Sequence, residues 1–423
     1  MSGFVTALGV ALLSAILVGY FGIKHLPPPK PSFIGIDLGT TFSCIGAFNP
    51  GYGNVSIFEN EMKDKCIPSA VFFNHSNIIV GKIALENSEK YPLAVVYDAK
   101  RFIGKQFTQE SLDVLKKRYA FGLELTSENG VVLIAENVNG SIHKLTPEMI
   151  GSYIIAELRR YAENAVGRPL TKGVVSVPAD FDASQRNHTK KAAALAGVDI
   201  WRFINEPTAA AMAYGLHNKT GVQMVTVVDF GGGTLDVSLL QRQGRTFYTA
   251  AIAGNNFLGG QDFNHCLYEH ISLLYLKQYS DISANISQKL KSAIEVAKIA
   301  ISSQESAIIQ LENFRFILTV DFFNTLCSPL FEKLLEPIRL VLVDASMSPE
   351  EIDGVVLVGG STRIPKVQSI ISNFFNMTVS MDIDPELAVV TGASIQAGTV
   401  GNTWPLRVSA IDIPLGVRKI HVL

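Results

Sequence analysis

Charge of one sign is what this chain lacks most plainly: over 423 residues, Lys plus Arg (36) and Asp plus Glu (38) nearly cancel. No strong field draws it to nucleic acid or to an anionic membrane surface, so neither is an expected partner. Cysteine is scarce as well. Cys44, Cys66, Cys266 and Cys327 stand far apart, with no C-x-x-C or Cys/His metal spacing, and read as mostly buried free thiols. No G-x-x-x-x-G-K-[ST] occurs, which excludes a P-loop enzyme as far as a motif can, and no G-x-G-x-x-G follows a strand.

What is present is apolar and ordered: hydrophobic residues make up 48% of the chain and charged residues 17%. Such a composition packs, and the length predicts two or three domain-sized units. Phe4 to Ile23 carries no charge and is followed by Lys24, His25 and a proline-rich run from Pro27 to Pro31. Residues 1–31 therefore read as a signal peptide or signal anchor plus linker, with both alternatives open. The downstream lysines favour a cytoplasmic body for a retained anchor. Seven N-x-S/T sequons, at Asn54, Asn74, Asn139, Asn187, Asn218, Asn285 and Asn376, fit entry into the secretory pathway. The hydrophobic start decides for the endoplasmic reticulum lumen or microsome, with membrane contact only through this segment.

Ser32 to Phe48 reads as a hairpin: apolar Phe33-Ile34-Gly35-Ile36, a Gly39-Thr40-Thr41 turn, then Cys44 to Phe48. The same grammar returns at Met224 to Asp229, Gly231 to Thr234 and Leu235 to Leu240. This is a duplication at domain scale. In the first half, Pro147 to Val166 has helical spacing and Val174 to Pro178 is a short strand. In the second, Phe331 to Leu342 is helical and Gly354 to Gly360 is the matching strand. Two copies of alternating strands and helices predict an α/β fold with mixed sheets and a ligand cleft between the halves.

Both turns follow an Asp at a strand end. Glycine lets the backbone approach a phosphate and turn its N–H groups inward, and threonine hydroxyls add donors. Alone, each turn is more simply a tight hairpin; the duplication makes a polyphosphate clamp the better reading. Asp37, Asp229 and Asp236 flank the turns and supply the hard oxygens that Mg²⁺ takes, directly or through water, although such aspartates also cap their own turns. Gly359-Gly360-Ser361-Thr362-Arg363 is a third glycine turn, suited to a ribose or α-phosphate.

Ile36 to Thr41, Asp229 to Ser238 and Val356 to Pro365 resemble the three signatures of the heat-shock-70 chaperone family, and Val177 to Phe181 and Asn205 to Leu216 are similar to it as well. The likeness runs from about Phe33 to Gly398. It implies a duplicated actin-like ATPase fold (a ribonuclease H-like motif twice), with lobe I at 32–217 and 382–404, lobe II at 218–381 and a residual linker-like tail at 405–423. The chain is similar to a microsome-associated member that consists of an ATPase core without the peptide-binding domain.

By position, the resemblance implies ATP/ADP held by Gly39, Thr40, Thr41, Phe42, Gly231, Gly232, Gly233, Thr234, Gly259 and Gly260. At the adenosine end it implies Glu295, Lys298, Ser302, Gly359, Gly360, Ser361, Arg363 and Glu386. Mg²⁺ would sit by Asp37, Asp229 and Asp236 through water, with K⁺ as a further cation. Lys100, Glu206, Asp229, Thr234 and Asp37 would serve catalysis, and Glu206 with Pro178 would sense nucleotide state. The implied activity is slow, Mg-dependent ATP hydrolysis in protein folding or quality control, in a monomer served by a J-domain co-chaperone and a nucleotide exchange factor. Ubiquitin-like or quality-control partners stay open. Two rivals are a nucleotide-gated binding module with little turnover and a metabolite kinase of the same fold.

Three departures stand out. Ile299 takes the place of an arginine that stacks on adenine, removing a contact worth on the order of 1 kcal/mol. Phe42 replaces a tyrosine, and Glu386 stands near a usual aspartate. The connection from Ile308 to Phe323 is also several residues shorter than the family norm, on the part of lobe II where exchange factors grip.

Overall fold

The computed structural model describes residue 9, residues 11–18, residues 30–401 except 76, 117 and 245, and the backbone of 420–421. Residues 11–18 are helical, and among the described residues no helix is long and apolar enough to cross a membrane. The rest of the uncharged N-terminal stretch and positions 405–419 of the linker-like tail lie outside the described residues.

The first half opens with β1 (Ile34–Leu38), β2 (Phe42–Asn49), β3 (Asn54–Ile57) and β4 (Cys66–Pro68). Next come β5 (Ala70–Asn74), β6 (Asn77–Val80), α1 (Lys82–Glu86), β7 (Val95–Tyr97), α2 (Gln109–Lys116), β8 (Gly122–Leu125), β9 (Val131–Glu136) and β10 (Ile142–Leu145). It closes with α3 (Pro147–Val166), β11 (Lys172–Val177), α4 (Ala183–Leu195), β12 (Asp199–Asn205) and α5 (Glu206–Ala213). The second half has β13 (Met224–Phe230), β14 (Leu235–Gln243), β15 (Thr246–Asn255), α6 (Gly260–Tyr279), α7 (Ala284–Ala300), β16 (Ser306–Leu311) and β17 (Phe314–Thr319). Then follow α8 (Val320–Leu326), α9 (Ser328–Glu332), α10 (Leu335–Asp344), β18 (Gly354–Val358), α11 (Pro365–Phe375), α12 (Ala388–Val400) and β19 (Ile420–His421).

Two mixed sheets carry the duplication. One has the order β12-β11-β1-β2-β3, with β4 beside β2; the other has the order β18-β13-β14-β15-β19. In each, a hairpin of antiparallel strands (β1 with β2, β13 with β14) takes a parallel neighbour on its first strand (β11, β18). The α/β reading with repeated strand–turn–strand units is therefore realised as one topology used twice.

Local chemistry sets the elements. Thr146 accepts from the Met149 N–H, Pro147 starts α3, and Gly167 ends it with a left-handed φ of 72°. The buried stripe of Ile150, Ile154, Ile155 and Leu158 packs α3 against the first sheet's core, at roughly 2 kcal/mol for each side chain removed from water. Phe331 to Leu342, expected as one helix, is two: α9 ends at Glu332 and α10 begins at Leu335. Pro337 has no N–H to give to the preceding turn, so it fits only within a new first turn.

Between the sheets lies a third apolar layer. Ala209 to Met212 of α5 and Ala388, Val389, Ala393 and Ala397 of α12 meet Val174 of the first sheet and Val225, Val227 and Val356 of the second. Gly392 touches Ala209 backbone to backbone, with no room for a Cβ.

The cysteine expectation needs correction. Cys44 and Cys66 form a disulfide, and only Cys266 and Cys327 are free thiols. The cause is register: antiparallel β2 and β4 set Cys44 directly opposite Cys66, with Cα atoms 4.5 Å apart.

Candidate functional site

Each hairpin turns where an acidic strand end meets glycine. In the first, a Cβ on Gly39 would collide with the Phe42 carbonyl. Ser69 braces the turn, its Oγ donating to Gly39 O at 2.9 Å and its N–H to Thr41 O at 2.8 Å. In the second, the Gly231 N–H donates to Thr234 O at 3.0 Å. The first N–H groups of α6 hold that turn from behind, Gly260 donating to Gly231 O at 3.1 Å and Gln261 to Gly232 O at 2.7 Å. A Cβ on Gly232 would lie 3.3 Å from Thr41 Oγ1, so the two turns meet across the cleft.

Behind the turns five ionisable groups interact. Lys100, on the short turn Ala99–Arg101, donates to Glu206, the first residue of α5, at 2.5 Å. Asp37 accepts from Ser176 Oγ at 2.8 Å, and Asp229 faces Asp236 in the β13–β14 register. Pro178, Glu206, Asp229 and Asp236 bound a cavity of about 30 Å³, room for a water or two.

Three carboxylates, those of Asp37, Glu206 and Asp229, thus share one lysine, with Asp236 beside Glu206 and Asp229. Burial, with the neighbouring charges of Glu206, Asp236 and Asp37, pushes the Asp229 carboxyl up to about 8. Burial also drives Glu206 to about 7, against the pull of Lys100, and raises Asp37. Burial alone would lower Lys100, but Glu206, Asp37 and Asp229 together hold its ammonium above the ordinary value. A site whose acids resist ionisation for want of positive charge suits a bound cation.

The expected adenosine end gathers on α6, α7 and the third glycine turn. Lys298, 7% exposed, donates to Gly260 O at 2.9 Å and to Glu295 at 3.0 Å. Burial lowers its pKa, with Glu295 opposing. Ser361 Oγ donates to Gly231 O at 2.8 Å. Gly359 has φ 85°, and a Cβ there would stand 2.8 Å from Asp229 Oδ1. Gly360 would similarly meet Glu386 at 3.0 Å, and Arg363 pairs with Asp384 and, at 3.6 Å, with Glu386. Gly259 backs onto Gly232 and Gly233. Ser302 lines a separate cavity of about 230 Å³ with Ile301, Phe323 and Ile364. Ile299 is 59% exposed, and Phe42 is exposed at the first turn.

Sequence reasoning passed over several neighbours. Arg101 presses on Gly233, where a Cβ would run into its guanidinium, with Arg118 Nη2 3.9 Å from the same point. Arg101 directly follows Lys100, and that adjacency was the only signal available. Ser69, Ser176 and Asn264, which donates to Glu295, gave none.

Comparison with known proteins bears on the whole architecture. The family described as Hsp70 protein matches residues 33–413. This chain belongs to the Hsp70 family. It is 41% identical over 465 aligned positions to Heat shock 70 kDa protein 13 of Bos taurus, of Mus musculus and of Homo sapiens, covering 98% of this chain and 98% of each relative. Against Heat shock cognate 70 kDa protein 3 of Dictyostelium discoideum the identity is 37%, covering 89% of this chain and 62% of the relative. Hsp70 ATPase domains have the actin-like fold, and Hsp70 members are ATPases. The duplicated hairpins and mixed sheets of this chain are that fold.

Proposed function

We propose that this Hsp70 protein binds ATP and ADP between its two glycine turns and hydrolyses ATP slowly, as a nucleotide-driven component of protein folding or quality control at the endoplasmic reticulum. The observation that carries the reading is the acid cluster of Asp37, Glu206, Asp229 and Asp236, the first three of which share Lys100, behind two facing phosphate-sized turns.

Among the described residues no three His, Cys, Asp or Glu side chains form a direct metal cluster, so Asp37, Asp229 and Asp236 would hold Mg²⁺ through its waters. When bound, Mg²⁺ offsets the negative charge of the phosphates and of the acids. The turns hold the phosphates by backbone N–H and threonine hydroxyls, and Lys100 stabilises charge developing on the terminal phosphate. Glu206, at the start of α5 and paired with Lys100, orients that lysine and accepts hydrogen bonds from water in the adjoining cavity. Catalysis then rests on positioning, with no covalent intermediate.

The luminal setting is supported by the uncharged Phe4 to Ile23 stretch, the sequons and the Cys44–Cys66 disulfide, which suits an oxidising compartment. A J-domain co-chaperone and an exchange factor follow by family analogy.

Single-turnover phosphate release from pre-bound ATP tests the reaction. Lys100→Ala should slow release by roughly 10²-fold or more. Equal rates in variant and wild type would remove the lysine from its assigned role. A second reading, a nucleotide-gated binder with little turnover, is favoured by the exposed Ile299 at the adenine end; no phosphate above background from the wild type would select it.

A further inference from the structure

Below the second turn lies a pair of thiols that the phosphate chemistry does not use. Cys266, half-buried, stands on α6 six residues after Gly260, and Cys327, fully buried, sits at the joint between α8 and α9. Cys327 Sγ donates to Cys266 Sγ at 2.8 Å, and Cys266 Sγ donates to the Leu326 carbonyl at 3.7 Å. Both thiols are free, in a chain whose other two cysteines are already paired.

We infer that Cys266 and Cys327 form a redox dithiol that exchanges with a low-molecular-weight disulfide of the glutathione class, closing an intramolecular disulfide that ties α6 to the α8–α9 joint. The two thiols are unequal in the way such exchange needs. Cys266 is the one solvent reaches, and the hydrogen bond from Cys327 draws its pKa below the ordinary thiol value. The same contact, with burial, raises Cys327. Cys266 thiolate therefore attacks one sulfur of the external disulfide, whose S–S bond breaks to release one thiolate. Cys327 then gives up its proton and attacks the Cys266 sulfur of the mixed disulfide, and the second external thiolate leaves. The protein loses two electrons and two protons, and the external disulfide becomes two thiols.

The bond would bear on the site through α6. The first N–H groups of that helix hold the carbonyls of Gly231 and Gly232, and Asn264, two residues before Cys266, donates to Glu295. Lys298, which bonds both Gly260 O and Glu295, also interacts electrostatically with Cys327. Fixing α6 at Cys266 restrains the second turn and its lysine together, so the oxidised protein should release ADP more slowly. This consequence rests on the nucleotide reading; the disulfide itself does not.

The test equilibrates the folded full chain in reduced and in oxidised glutathione, traps free thiols by alkylation and maps linked peptides by mass spectrometry. ADP dissociation is then timed in both states. A Cys266–Cys327 linked peptide in the oxidised sample, with ADP leaving at least about fivefold more slowly, is the expected result. Cys266→Ala, which replaces the more accessible partner, should lose both the linked peptide and the redox dependence. Failure of the peptide to appear in folded wild type overturns the dithiol. A linked peptide with equal ADP rates overturns the control of the site, as does a redox-dependent rate that survives Cys266→Ala. If no ADP binds in either state, the nucleotide reading fails, and the linked peptide alone judges the dithiol.

Discussion

Replacing Asp229 by Asn should make the nucleotide-free protein more stable while disabling it. The Asp229 carboxyl titrates at about 8 in the fold against 3.8 for an unperturbed aspartate, and burial is the largest cause. A raised folded-state pKa means that the fold favours the protonated acid. Its contribution is fully present below about pH 4 and is lost as pH rises through about 8. A gap of about four pH units, at about 1.4 kcal/mol each, sets a ceiling of roughly 6 kcal/mol on that loss. Asp229 retains some solvent contact and shares its strain with Glu206, Asp236 and Asp37, so roughly 2–4 kcal/mol is the expected part. The assay is the urea midpoint of the metal-free protein, in chelator, from pH 5.5 to 9. Wild type should fall steadily across this range, and Asp229→Asn should fall much less and lie above it at pH 8.5. With saturating Mg-ADP the wild-type profile should flatten, while the variant should gain little. A flat wild-type profile without nucleotide, or a variant that falls in parallel with it, would refute the claim that uncompensated carboxylates strain this site.

Two further substitutions probe other parts of the cleft. Ile299→Arg places a guanidinium at the exposed position proposed to face adenine and should tighten ADP binding about fivefold by titration calorimetry; unchanged affinity would mean that position 299 does not face the base. Gly359→Ala puts a Cβ at φ 85° against Phe230 and Asp229. It should cost roughly 2–4 kcal/mol in urea unfolding and abolish ADP binding, so a variant of wild-type stability would contradict the geometry.

The hairpins were legible because their signals are local: an apolar strand, an acid, a glycine turn and a second strand, twice over. Pro147 to Val166 was equally plain, since spacing, an N1 proline and a following glycine agree. The break before Leu335 lay in Pro337, whose meaning depends on where a helix starts. The Cys44–Cys66 bond was not legible, because its cause is the register between β2 and the three-residue β4. Arg101 and Asn264 serve the site through approaches made only once the lobes have folded. The pairing of Ile420–His421 beside β15 likewise follows no pattern in the tail. Lys100 reads as a surface charge without the family motif, and only the fold surrounds it with acids.

The bare contact between Gly392 of α12 and Ala209 of α5 has a mechanical consequence. Most internal layers of a protein are cushions of side chains that can slip past one another by changing rotamers. Here two backbones bear directly on each other, so translation along the contact would drive main chain into main chain, whereas rolling about it moves little near the axis. The layer between the two sheets is thus braced through main chain at this point. Glu206 stands three residues from Ala209 along α5, so this rigid joint and the Lys100–Glu206 pair lie within one helical turn of each other.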